Sequence, residues 1–221
     1  CSSDLMLEVE LECIRPDMEI HYTTDGSEPT ATSPLYEKIV PVKEALTLKG
    51  AIFAHGRQMG KTLILPVRWN LATAKPVLGT NPTEKLLTNG IRGSLKYSDF
   101  EWCSWADNDS VSFTIDLLKP EMLNTLILGC ITNNGMAIHK PASVRVEVSD
   151  DNSKFREAVV QSFTSEEIFR EGNFIENLSL KLGGTQARYV RVTAKGPGVC
   201  PASHVRPGQT SRIFFDEVML E

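Results

Sequence analysis

Near the N-terminus, Leu5, Leu7, Val9 and Leu11 alternate with Met6, Glu8, Glu10 and Glu12. A period of two is the geometry of a strand, in which successive side chains point to opposite faces; on a helix the same four apolar residues would scatter around the axis. The segment is therefore predicted to be a strand with one face on a core and the other in water. The same pattern returns in Met18 to Thr23, Leu46 to Phe53 and Thr62 to Trp69, and then in Val111 to Leu117, Leu126 to Ile131, Ser143 to Ser149, Glu176 to Leu182, Arg188 to Thr193 and Ile213 to Leu220. Gly and Pro punctuate the gaps. Only Thr83 to Leu87 and Ser165 to Glu171 have room for a helical turn or two, too short to anchor a fold.

The alternation lapses in Asn70 to Pro82, where Pro76, Gly79 and Pro82 collect, and a linker is expected there. This places a boundary near residue 78. Residues 1–78 are predicted to be a small immunoglobulin- or fibronectin-like β-sandwich with its linker, and residues 79–221 a second, larger all-β sandwich. No internal repeat or low-complexity tract is present.

Composition removes several functions. A formal charge of -5 without a long basic run gives no basis for binding nucleic acid, because phosphate contacts need clustered Lys and Arg. The longest apolar runs fall far short of the roughly 18 to 20 residues of a membrane-spanning helix. Cys1, Cys13, Cys103, Cys130 and Cys200 show no CxxC or other metal-like spacing, and an odd number cannot pair completely within one chain. Cys1 suggests either a lipidated terminus or a segment cut from a longer polypeptide. The strand pattern beginning by Leu5 leaves no flexible tether, which favours the cut.

The stretch HYTTDGSEPT, residues 21–30, gathers hydroxyls and the carboxylates of Asp25 and Glu28. Asp25-Gly26 after a β-rich run is a hairpin signal, and Pro29 fixes the exit of the turn. The stretch holds no third acid to complete a cation shell, and its carboxylates are expected at a solvated turn tip. A structural turn is expected. The longer run from Ile20 to Lys61, including SPLY at 33–36 and the FAHG of 53–56, resembles the small sandwich at the C-terminus of chitobiases and β-N-acetylhexosaminidases over residues 5 to about 70. Similar modules follow the catalytic domains of other exoglycosidases, α-fucosidases among them, so the resemblance implies a scaffold and spacer.

Residues 86–105, LLTNGIRGSLKYSDFEWCSW, with PASVRVEVSDDN at 141–152, RYVRVT at 188–193 and FFDEVML at 214–220, resemble a discoidin (coagulation factor 5/8 type C) domain. The implied fold is a galactose-binding-like jelly-roll sandwich, and bacterial relatives are family 32 carbohydrate-binding modules. The particular combination is most similar to the tail of Bacteroidetes family 20 β-N-acetylhexosaminidases. Discoidin modules often hold a structural calcium ion, and the resemblance carries two of its ligand positions onto Asn89 and Glu217; Asn89 stands where an aspartate is usual, removing one negative charge from the shell. Another reading is open: Asn89-Gly90 is a β-turn whose amides Glu217 accepts from.

Asp216 and Glu217 are adjacent acids, and glycosidases use paired acids. On a strand, however, neighbours point to opposite faces and cannot flank one glycosidic bond. The resembled enzyme's catalytic pair belongs to a barrel domain that is not among these residues, so no catalytic residue is expected.

Sugar modules offer aromatic faces and a few polar groups from loops. Three loops supply candidates: residues 97–109 with Trp102 and Trp105, residues 132–140 with Asn133, Asn134 and His139, and residues 196–210 with His204 and Arg206. The resemblance implies an exported, extracytoplasmic protein whose partners are terminal sugars, bound weakly, and the upstream catalytic domain of the same polypeptide. Weak binding is expected because Met136, Ala137 and Ser203 stand where relatives often carry aromatic platforms. The competing expectation is a pair of sandwiches that only buttress the catalytic domain. A surface cleft shared by His139, His204 and one exposed tryptophan favours binding; burial of these residues favours the buttress.

Overall fold

A computed structural model describes residues 6–15, 17–105 and 110–221. Cys1, Leu5 and residues 106–109 of the tryptophan-bearing loop lie outside the described residues. The chain divides into two compact units, Cys1–Trp69 and Asn70–Glu221.

The first unit contains β1 (Leu7–Val9), β2 (Glu19–Thr23), β3 (Val40–Val42), β4 (Leu46–Ala54), β5 (Arg57–Gln58) and β6 (Leu63–Val67). β1 pairs antiparallel with β3, while β4 is flanked by β2 on one side and by β5 and β6 on the other. The alternating residues Val9, Leu11, Val40, Val42, Leu48 and Val67 turn inward to make one small core. The turn after β2 is more open than a two-residue hairpin. β2 pairs with β4, and the returning chain meets β2 at the His21–Leu35 bridge, where His21 Nδ1 also lies 2.7 Å from the Ser33 carbonyl. Gly26 takes φ +78°, and Asp25 Oδ1 accepts from both the N–H and the hydroxyl of Ser27 at 3.0 and 2.6 Å. Those bonds hold the Asp25 carboxyl below its ordinary pKa. Glu28 is tied to Lys49 and to the Thr62 hydroxyl, so both acids of the quoted stretch fasten a loop.

The second unit contains β7 (Val77–Leu78), β8 (Cys103–Trp105), β9 (Ser110–Asn133), β10 (Ser143–Ser149), β11 (Arg156–Ser162), β12 (Asn173–Lys195) and β13 (Ile213–Leu220). Their order is β11-β10-β12-β9-β13-β8, with β7 on β9. Two pairs of predicted strands prove to be single long ones: β9 runs through both 111–117 and 126–131, and β12 through both 176–182 and 188–193. These two pair antiparallel along most of their length, with two register shifts: Gly183 and Gly184 take φ +65° and +75° in the one between Lys181 and Thr185, and Leu118 takes φ +69° opposite the one between Ala187 and Tyr189. The core holds Phe113, Ile115, Leu126, Leu128, Val146, Val190, Val192 and Phe215, all almost inaccessible to water. A 3-10 turn at Glu84–Thr88 and one helical turn, α1 (Ser165–Ile168), fill the two places where short helices were expected.

The expected linker belongs to the second sandwich. The Leu71 N–H donates to the Leu220 carbonyl at 3.1 Å, Asn70 Oδ1 accepts from the Leu220 N–H at 3.1 Å, Ala72 joins the core, and Val77 and Leu78 pair with Ile115 and Thr114. The boundary is therefore at Trp69/Asn70 rather than near 78. These residues are held mainly by backbone pairing, which needs no alternating side chains and so leaves no periodic signal.

Candidate functional site

Two buried polar clusters occupy the second sandwich. In the first, LTNGIRGS and FFDE prove to be halves of one hydrogen-bonded unit. Asn89 Oδ1 accepts from the Ile91 N–H at 2.9 Å, closing a turn in which Gly90 takes φ +74°. The Gly90 N–H then donates to Glu217 Oε2 at 3.1 Å. Two residues on, Arg92 Nε and the Gly93 N–H both donate to Asp216 Oδ2, at 2.6 and 3.0 Å, while Arg92 Nη2 donates to Asn177. Glycine is required at two contacts. A Cβ on Gly129 would lie 1.9 Å from Asp216 Oδ1, and one on Gly93 would lie 2.3 Å from the Trp102 ring.

Asp216 and Glu217 do not face opposite ways as strict alternation predicts. The register of β13 against β9 slips by one residue between Phe215 and Val218, and a bulge of this kind lets both side chains reach the same loop. Both residues are 0 % exposed, which bars them from flanking a glycosidic bond as the two acids of a glycosidase must. Burial raises both carboxyls; Arg92 opposes the rise at Asp216, while Glu217 is pushed up to about 9.

The same geometry tests the implied calcium ion. Asn89 spends its oxygen on Ile91 and donates its amide to Glu101 at 2.9 Å; Asp216 is taken by Arg92, and an N–H points at Glu217. Only Glu217 Oε1 is left without a partner. A calcium shell needs six to eight oxygens, several of them charged. This donor set does not fit one, and it matches the turn-and-acceptor reading instead.

The second cluster joins the 132–140 and 196–210 loops. A 3-10 turn at Asn134–Met136 and a left-handed Ala137 (φ +52°) carry the chain from β9 to His139, whose N–H donates to the Arg212 carbonyl at 3.1 Å. The other loop is pinned by the Cys200 N–H to the Gln209 carbonyl at 2.9 Å and by the Gly208 N–H to the Cys200 carbonyl at 3.0 Å. His139 and His204 meet edge to face with ring centres 4.9 Å apart, and Phe169 packs on both. The two histidines and Cys200 bring one donor atom each to within 4.8 Å of one another. His139 is 0 % exposed, and burial pulls its pKa down to about 4, with the neighbouring His204 adding to the effect; the Ile168 backbone opposes it.

The expected sugar-contact residues therefore separate. Asn134, His139 and His204 come together, with Asn134 Nδ2 3.3 Å from His204 Nε2, but all three are buried. Asn133 is half-buried and Arg206 exposed, with its guanidinium 3.3 Å from Gln209 Oε1. The tryptophans are not platforms. Trp102 is 5 % exposed, lies on Gly93 and donates its indole N–H to Ser94; Trp105 is 8 % exposed and packs between Phe113 and Phe215. Adjacent to an all-β core, a large ring gains more from burial than from display. Sequence reasoning passed over Phe100, which is 88 % exposed with φ +71°. A bulky residue at positive φ is uncommon enough to mark a position. Cys200 was also passed over as a neighbour of the histidines, because its distance from His139 along the chain hides the contact.

This architecture, a long antiparallel ribbon in a sandwich closed by its C-terminal strand, is that of a discoidin-type module. Residues 72–205 match the family described as F5/8 type C domain, and the chain belongs to that family. Residues 6–63 match the family described as Chitobiase/beta-hexosaminidase C-terminal domain. No curated protein matches the chain. Among solved structures, it is similar to a Clostridium perfringens module titled CpGH89CBM32-6 (18% identity, 69% of this chain and 98% of that one, TM-score 0.45). It is also similar to a Streptococcus pneumoniae fucose binding module (18%, 69% and 97%, 0.42). A third is the C-terminal domain of a chitobiase from Bacteroides fragilis (16%, 62% and 78%, 0.37).

Proposed function

We propose that this chain is the non-catalytic, carbohydrate-binding C-terminal region of an exported exoglycosidase, in the first instance a β-N-acetylhexosaminidase, and that it holds a terminal sugar at the rim formed by Asn133, Asn134, His204 and Arg206. The observation that carries this reading is the order of two modules in one chain, a chitobiase/hexosaminidase C-terminal domain followed by an F5/8 type C domain. The half-buried Asn133 amide and the exposed Arg206 guanidinium supply donors and an acceptor for sugar hydroxyls. With both tryptophans inside the core, the rim lacks their stacking surface. Affinity is set on the order of a millimolar, about 4 kcal/mol.

The burial of Trp102, Trp105 and His139 favours a second reading, in which the sandwiches only buttress an upstream catalytic domain. Calorimetric titration of the chain and its Arg206→Ala variant with galactose, N-acetylgalactosamine and N-acetylglucosamine separates the two. The first reading expects weak heat with one sugar that the variant loses; identical, flat traces support the buttress. Neither protein is expected to turn over an aryl N-acetylglucosaminide, and turnover that survives substitution of Asp216 and Glu217 would reveal an active site elsewhere.

A further inference from the structure

His139, Cys200 and His204 form the one group of three or more His, Cys, Asp or Glu side chains among the described residues that converges closely enough to hold a metal ion. Each is buried, at 0, 3 and 8 % exposure. A buried polar side chain is ordinarily satisfied by hydrogen bonds, because leaving one unpaired costs free energy. His139 strains that rule: neither ring nitrogen makes a hydrogen bond of ordinary geometry, and the Ile168 backbone offers only a weaker polar contact. His204 is awkward in a different way. The Arg206 N–H donates to its Nδ1 at 3.0 Å, and the Asn134 amide nitrogen lies 3.3 Å from its Nε2, so both ring nitrogens face donors. A neutral imidazole has a lone pair at one nitrogen only, and both contacts cannot be hydrogen bonds.

The third member is a thiol with the Ser211 hydroxyl 3.3 Å away. Two other thiols of this sandwich differ in kind. Cys103 and Cys130 are packed among apolar core residues, where burial opposes the thiolate. Cys200 instead sits on a loop beside two imidazoles, with its donor atom and theirs turned into the same space.

From this convergence the geometry points to a zinc-binding site formed by the two imidazoles and the Cys200 thiolate. A thiolate with two imidazoles suits zinc in ligand softness, whereas calcium and magnesium want oxygen. With zinc–ligand bonds of about 2.0 to 2.3 Å in a tetrahedron, the donor atoms would stand about 3.3 to 3.8 Å apart. Closing from the present 4.8 Å spread therefore asks for a shift of about an ångström. The 196–210 loop can supply it, since it carries two of the three ligands and holds glycines at positive φ at 198 and 208. Coordination by His204 displaces one of its two conflicting contacts, and three protein ligands leave a fourth position for water. Binding releases the thiol proton of Cys200 to solvent. The site does not depend on the sugar reading.

The test uses the whole chain in a Cys1→Ser, Cys13→Ser background, so that the thiols nearest the N-terminus cannot contribute. Cobalt(II) is titrated as a spectroscopic stand-in, then displaced by zinc. The expected result is one equivalent bound, with a thiolate-to-cobalt charge-transfer band in the near ultraviolet that zinc abolishes. Cys200→Ser removes the band, and His204→Gln weakens binding by at least about ten-fold. A band that persists in Cys200→Ser overturns the site. So does the absence of both band and bound metal in the background protein, which needs no variant of the site to fold.

Discussion

The two polar clusters of the second sandwich are both buried, yet they are built on opposite terms. Around Asp216 the carboxylate, the Arg92 guanidinium and the Gly93 amide answer one another, and two glycines are retained so that the side chains fit. Around His139 three donor atoms for a metal converge, and neither His139 ring nitrogen makes a hydrogen bond of ordinary geometry. Burial alone therefore does not mark function. The discriminating property is whether each buried polar group has a partner of the right polarity: Asp216 has several, and the His139 group, proposed above as a metal site, has few.

The largest expected difference comes from deleting one member of each cluster. Asp216→Ala leaves Arg92 without its ion partner and is expected to cost about 3 to 5 kcal/mol in urea unfolding. His139→Leu removes a poorly satisfied group while keeping apolar volume, and is expected to lie within about 1 kcal/mol of the parent, measured without added metal. Equal losses would erase the distinction.

A pH effect follows from the Glu217 carboxyl, which burial pushes up to about 9 from an ordinary value of 4.5. Between these values the folded state holds a proton that the unfolded state has lost, so stability falls as pH rises from about 5 to about 9. Glu217→Gln keeps an acceptor for Gly90 and should flatten that part of the melting-temperature profile. Calcium bound at this carboxylate would hold it charged, so a melting temperature raised by added calcium would contradict the turn-and-acceptor reading. The smallest stability effect is expected from Arg206→Ala, within about 0.5 kcal/mol, because the side chain is exposed; its consequence should appear only in sugar titration.

Much of the fold was legible because a strand writes its period into the sequence. Ser143 to Ser149 and Ile213 to Leu220 were found at their observed bounds for that reason. Continuity was not legible: residues 111–117 and 126–131 are joined through register shifts against β12, and no local pattern encodes a partner strand's irregularities. The same limit applies to Arg156 to Ser162, an edge strand whose side chains are mostly half-buried or exposed and so lack a clear apolar face. At the site, residue type brought out His139 and His204 as neighbours but left Trp102 and Trp105 open between core packing and sugar contact, since an indole suits both; the structure buries them. The opposed faces expected for Asp216 and Glu217 failed because a single-residue bulge cancels alternation where it occurs.

The 132–140 and 196–210 loops are proposed to form a receiving surface, whereas the 89–93 loop and the Asp216–Glu217 pair hold the sandwich closed. Amide chemical shifts of the isotopically labelled chain, followed during titration with galactose, N-acetylgalactosamine and N-acetylglucosamine, test it most directly. Saturable shifts are expected at Asn133, Asn134, His204 and Arg206 with one of the sugars in the millimolar range, with unmoved signals at Gly90, Gly93 and Glu217. A spectrum that stays unchanged at tens of millimolar of every sugar, or shifts centred on Gly90 to Gly93, would contradict it.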